Sequence, residues 1–210
     1  MYLRRVSSAV VAAALATTLL APAASAAPTS TAPTGTKSLA AVLTADGDTF
    51  DRNWYDYDIL TEAVLAVLAA KPDSPVKVLT QGRTRLTAFI PTDRAFRRLV
   101  HDLTGRTPRT ERGTFRAITR VADVDTIEAI LLYHVVPGQT LPARKVVKLD
   151  GASVTTAGGG KITVRIHGAN VRLVDQDPDA RNAKVVVVDI NKGNRQIAHA
   201  INRVLRPLDL

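Results

Sequence analysis

Leu86-Thr87-Ala88-Phe89-Ile90-Pro91-Thr92-Asp93-Arg94-Ala95-Phe96 reads as a strand that turns directly into a helix. Leu86–Ile90 is a short apolar run of the kind buried inside a sheet, and Pro91 ends it because proline cannot donate to a ladder. Thr92 and Asp93 are capping residues, and Ala95, Phe96, Leu99 and Val100 give the following helix one apolar face. Upstream, Ile59, Leu60, Ala63, Val64, Val67 and Leu68 repeat at helical spacing, with Asp56 or Asp58 available as a cap and Pro72 as a stop. Downstream, Phe115–Val121 predicts a second helix. A third begins near Asp125, carries Ile127, Ile130, Leu131 and Val135 on one face, and stops at Pro137-Gly138.

Beyond Gly138 the period changes from 3.6 to 2. Val154–Thr156, Ile162–Ile166 and Val171–Val174 are β-branched runs, separated by the turn sequences Gly158-Gly159-Gly160 and Gly168-Ala169-Asn170. Val185–Ile190 is unbroken and apolar, as expected of a strand covered on both faces. Gln196–Leu205 supplies a last alternating segment. Helices first and hairpins second, in one continuous run without repeats, predict a single α+β domain.

The N-terminus reads differently. Arg4 and Arg5 precede an apolar stretch from Ala9 to Leu20, and Ala24-Ser25-Ala26 offers small residues at a cleavage site, so residues 1–26 are expected to be a bacterial-style secretory signal peptide. The apolar stretch is too short to span a bilayer comfortably, so no transmembrane anchor is expected. Residues 27–37, rich in Pro, Thr and Ala, predict a flexible leader, and residues 38–210 the domain. Export, with release or non-covalent retention at the cell surface, is the expected localisation. The 210 residues include no cysteine, which removes disulfides, thiolate metal sites and cysteine nucleophiles together.

Catalytic patterns are missing. His101, His134, His167 and His199 are too far apart in sequence to form a helical ligand pair, and no serine occupies a Gly-x-Ser-x-Gly elbow. With only three glutamates, a paired-carboxylate hydrolase has little to work with. Neither an enzyme nor a cofactor is expected. Asp175, Asp177 and Asp179 alternate like calcium ligands, but Ala180 and Val186 stand where such a loop needs Gly and Glu. Asp46, Asp48 and Asp51 form a looser cluster, and both groups read as solvated turns, so no metal is assigned.

The formal net charge is +9. Ten arginines and three acids fall between Arg83 and Arg120, a local excess of seven positive charges. Arg94, Arg97 and Arg98 share or border one helical face, and Arg106, Arg109 and Arg112 follow in the loop. Arginine forks match sulfate, phosphate and carboxylate, so these six are the candidate anion-binding residues, with solubility the competing reading. Few aromatics interleave them, which argues against nucleic acid.

Three segments in order resemble the fasciclin domain. Leu86–Phe96 is similar to its first signature box, Leu131-Leu132-Tyr133-His134-Val135-Val136-Pro137-Gly138 to its central Tyr-His motif, and Ile197–Pro207 to its second box. Gln196 stands where glycine is common in that family, and Asn202 where Asp is usual. The resemblance implies a wedge of two β-sheets with a helical layer, and a secreted, non-catalytic adhesion or matrix-interaction module. It also implies candidate adhesion residues Leu131, Leu132, Tyr133, His134, Val135 and Val136, a region linked to integrin contact in animal members. The local chemistry predicts instead that Tyr133 and His134 are mostly buried, with His134 bonded to backbone or to a polar neighbour on another segment. The expected partner is a surface protein or an anionic glycan or polymer, engaged by a monomer.

Overall fold

The computed structural model describes residues 33–45, 47 and 50–207. The expected signal peptide, most of the leader, and Asp46 and Asp48 lie outside them. Leu86–Pro91 forms β1, and all six residues are buried. It pairs antiparallel with β2 (Val135–Pro137) and parallel with β7 (Gln196–Ile201), in register from Leu86↔Gln196 to Pro91↔Ile201. A strand covered on both faces feeds two cores, because successive side chains point to opposite sides. Leu86, Ala88 and Ile90 join Ala198 and Ala200 of β7 in a core with the helices, whereas Phe89 and Ile201 enter a second core lined by the hairpin strands.

The helical layer consists of α1 (Ala40–Leu43), α2 (Asp58–Ala70), a 3-10 turn over Pro75–Thr80, α3 (Asp93–Thr104), α4 (Glu111–Val121) and α5 (Val124–Tyr133). Thr110 and Asp123 cap α4 and α5 by accepting the backbone N–H of Gly113 and Thr126. The short α6 (Ala143–Val146) precedes β3 (Ser153–Thr155), β4 (Lys161–His167), β5 (Asn170–Val174) and β6 (Ala183–Ile190). The strands run in the order β2-β1-β7-β6-β5-β4-β3. The two sheets of the wedge are therefore hydrogen-bonded halves that share β6. None of the described helices is long and apolar enough to cross a membrane.

Three expectations need correction. The third helix does not reach Val135: it ends at Tyr133, and Val135–Pro137 pairs with β1, because the His134 carbonyl accepts the Phe89 N–H. β6 is not covered on both faces, since Val186, Val187 and Val188 are each about half exposed. Register shifts between Val185 and Ile190 break the alternation of faces, so that none of these three consecutive valines is turned fully inward, and Asp189 takes a φ of 60° there. Gly35–Lys37, placed in the leader by composition, are tied to the domain. The Gly35 N–H donates to the Gly193 carbonyl, and the Lys37 N–H to Asn194 Oδ1.

Both departures in the last box have structural roles. Gln196 has no exposed surface, accepts the Leu39 N–H at 2.7 Å and donates to the Val78 and Gln81 carbonyls at 2.7 and 3.0 Å. One side-chain amide thus fastens β7 to α1 and to the 3-10 turn. Asn202 accepts the Lys184 N–H at 2.8 Å and extends the β6–β7 pairing by one step.

Candidate functional site

Tyr133 and His134 end α5 inside the molecule. Tyr133 is 1% exposed and donates its hydroxyl to the Lys161 carbonyl at 2.7 Å. Burial, reinforced by the charge of Asp175, pushes its phenol up to about 12. Gly160 makes room for the ring: a Cβ there would lie 2.6 Å from Tyr133 Cε2. His134 is 4% exposed, with Nδ1 2.7 Å from the Ile130 carbonyl and Nε2 accepting the Leu205 N–H at 2.9 Å. That pair of partners requires a proton on Nδ1 and none on Nε2, so the ring is neutral. Burial pulls its pKa down to about 4. Leu131, Val135 and Val136 are buried and Leu132 is half-buried. The motif is thus a joint between α5, the β3–β4 hairpin and the C-terminal segment.

The six candidate arginines do not form one face. Arg94 donates to the Tyr55 hydroxyl at 2.8 Å, Arg97 lies over the Trp54 ring at 4.6 Å and donates to the Pro108 carbonyl, and Arg112 lies over Phe50 at 5.5 Å. These three are committed to the aromatic loop before α2. Arg106 and Arg109 are exposed in the loop after α3. Arg98 faces another way and donates to the Asn202 carbonyl at 2.8 Å.

Arg98 instead borders a groove of about 650 Å³ lined also by Arg172, Arg181, Lys184 and Arg203, with no carboxylate in its wall. The hairpin strands explain this concentration. Arg165 of β4 lies opposite Arg172 of β5, which lies opposite Lys184 of β6. Val164, Val171, Leu173 and Ala183 point into the core, which leaves the three cations on the outer face. Like charges directly opposite one another destabilise a sheet. Sequence reasoning missed this row, although a signal was present: a hairpin pairing His167 with Asn170 around Gly168-Ala169 fixes Arg165 against Arg172.

The neighbouring Asp175–Asp179 loop is built around an ion pair. Arg206 Nη1 meets Asp177 Oδ2 at 3.0 Å, and the other Asp177 oxygen accepts the Asp179 and Ala180 N–H groups. Burial alone would raise Asp177, but Arg206 and these two amides outweigh it and hold the carboxyl below its usual range. Asp102 accepts from Arg203 at 2.8 Å and from Arg206 at 3.3 Å. His199, the other buried imidazole, bonds the Leu141 carbonyl and the Asp189 N–H, and burial pulls its pKa down.

A family model described as the fasciclin domain matches residues 60–207. Among solved structures, the chain is similar to a FAS1 domain pair from the insect cell adhesion molecule Fasciclin I, at 16% identity and a TM-score of 0.45. The match covers 69% of this chain and 44% of that one, so this chain spans less than half of its length. No curated protein matches. Fasciclin domains are generally non-enzymatic modules associated with adhesion, and typically extracellular. With the family model spanning most of the chain and its three motifs forming β1–α3, the α5–β2 joint and β7, the protein belongs to the fasciclin domain family.

Proposed function

We propose that the protein is a secreted, non-catalytic interaction module that holds an anionic surface polymer or acidic protein through the groove between α3 and the outer face of β5 and β6. The observation that carries this reading is the Arg165–Arg172–Lys184 row. The row holds two like-charged cross-strand pairs, both destabilising, so it works against folding. A polyanion laid across it would reverse the sign of that term. Guanidinium groups from Arg98, Arg172, Arg181 and Arg203 suit sulfate, phosphate or carboxylate groups spaced along a chain. Adhesion through the Tyr-His segment itself is disfavoured, because its apolar residues are spent on packing.

The test is retention of the full chain on a sulfated polysaccharide matrix across a salt gradient, beside an Arg172→Glu/Arg181→Glu/Lys184→Glu variant. All three residues are exposed, so the fold should survive the change. The wild type should elute late and the variant near the void, with the difference shrinking as salt screens the charges. Equal retention of both proteins would rule out the groove.

A further inference from the structure

Three helices begin around one cluster of carboxylates. Asp58, Asp93 and Glu111 open α2, α3 and α4, and Asp51 and Asp56 come from the loop that precedes α2. Oxygens of Asp51, Asp56 and Glu111 lie within 4.8 Å of one another, as do oxygens of Asp56, Asp58 and Asp93, so Asp56 belongs to both triads. We propose that this cluster is a binding site for a hard divalent cation of calcium's size, with Asp51, Asp56 and Glu111 as its protein ligands and Asp58 and Asp93 beside them.

Two buried carboxylates lack partners for their charge. Glu111 has no exposed surface, and neither of its carboxylate oxygens has a hydrogen-bond partner. Asp93 also has no exposed surface; its Oδ1 accepts the Ile59 N–H at 3.0 Å and so caps α2, while Oδ2 is left without a partner. Among the described residues neither forms an ion pair. The arginines of this region are turned onto Tyr55, Trp54 and Phe50. Unpartnered buried carboxylate oxygens are costly, and something positive is needed between them.

The chemistry of the donor set narrows the choice. All ligands are hard oxygens, with no nitrogen or sulfur, which excludes a preference for zinc or copper. Triads whose oxygens spread over as much as 4.8 Å can converge on an ion held at 2.3–2.6 Å, the calcium range, more readily than on the tight octahedron that magnesium requires. A bound cation would lock the loop onto the helical layer, where the Asp56 and Trp54 carbonyls already accept the Asp93 and Arg94 N–H groups.

Trp54, the sole tryptophan, sits in the same loop between Asp51 and Asp56 and provides a direct probe. The full chain, stripped with a chelator, is titrated with terbium while Trp54 is excited, and thermal unfolding is followed with and without calcium. Sensitised terbium emission that calcium competes away is expected, together with a rise in Tm of about 5–10 °C at calcium a hundredfold above Kd. Glu111→Gln should abolish both signals, with a Tm in chelator no lower than that of wild type. The exposed Asp51→Asn should weaken both, and covers the case in which Glu111→Gln fails to fold. Asp179→Asn, in the Arg206-linked loop, should respond like wild type. No terbium emission and no calcium-dependent Tm in the wild type would overturn the site, as would a full response in the foldable Asp51 and Glu111 variants.

Discussion

His134→Gln separates two contributions of the buried imidazole. In the folded protein the ring is neutral, donating to the Ile130 carbonyl and accepting from the Leu205 N–H. Its pKa is about 4 in the fold and 6.5 in the unfolded chain. The unfolded state therefore binds a proton first as pH falls. The associated stability is fully present above about pH 6.5 and drains away as pH falls toward 4. The whole gap is worth about 3 kcal/mol, and about 2.5 kcal/mol of it should be gone by pH 4.5. A glutamine has no titrating ring and can still offer an amide to Leu205. At pH 7 the variant should lose about 1–3 kcal/mol from imperfect bonding and packing. Urea unfolding of both proteins at pH 7.5 and 4.5 is the assay. His199 is also depressed, but it titrates in both proteins and cancels from the comparison. The wild type should lose about 2.5 kcal/mol more than the variant between those pH values. Equal losses would refute the assignment of a neutral, doubly bonded His134.

Gln196→Ala should cost about 2–4 kcal/mol in the urea midpoint, because it leaves the Leu39 N–H and the Val78 and Gln81 carbonyls without the amide that bridges them. Asp177→Ala should cost up to about 3 kcal/mol by removing the nearer of the two carboxylates that pair with the mostly buried Arg206, leaving only Asp102, and Asp177→Ala/Arg206→Met should recover part of that loss. A double variant no more stable than the single one would show that Arg206 is not stranded by the first change.

The parts of the fold legible in the sequence are those in which local chemistry and burial agree. Leu86–Phe96 contains its own strand, breaker and helix start, and the glycine turns mark both hairpins. Val135 and the β6 valines were misread because their surroundings are set by distant partners. β1 captures Val135 from the helical period, and the register shifts against β7 keep the valines from turning fully inward. The arginine excess was legible as composition but not as a surface. A count along the chain cannot show that Arg94, Arg97 and Arg112 are spent on aromatic rings. Nor can it show that Arg172 and Lys184, far outside the dense segment, build the groove beside Arg98. The carboxylate cluster was hidden for a similar reason, since Asp56, Asp93 and Glu111 meet only when three helices start from one point.

On this reading the cationic row across β4, β5 and β6 is kept for binding at the expense of stability. Arg172→Glu tests it most directly, because Arg172 is the middle of the row and is exposed. It replaces two like-charged cross-strand pairs with two opposite ones, and the two new attractions are worth about 0.4–2 kcal/mol in total, besides the repulsion removed. Urea unfolding and calorimetric titration with a sulfated polysaccharide, both at low salt, read the two effects on one protein. The prediction is a variant that is more stable than wild type and binds the polymer at least fivefold more weakly. A variant that binds as tightly as wild type would contradict the claim.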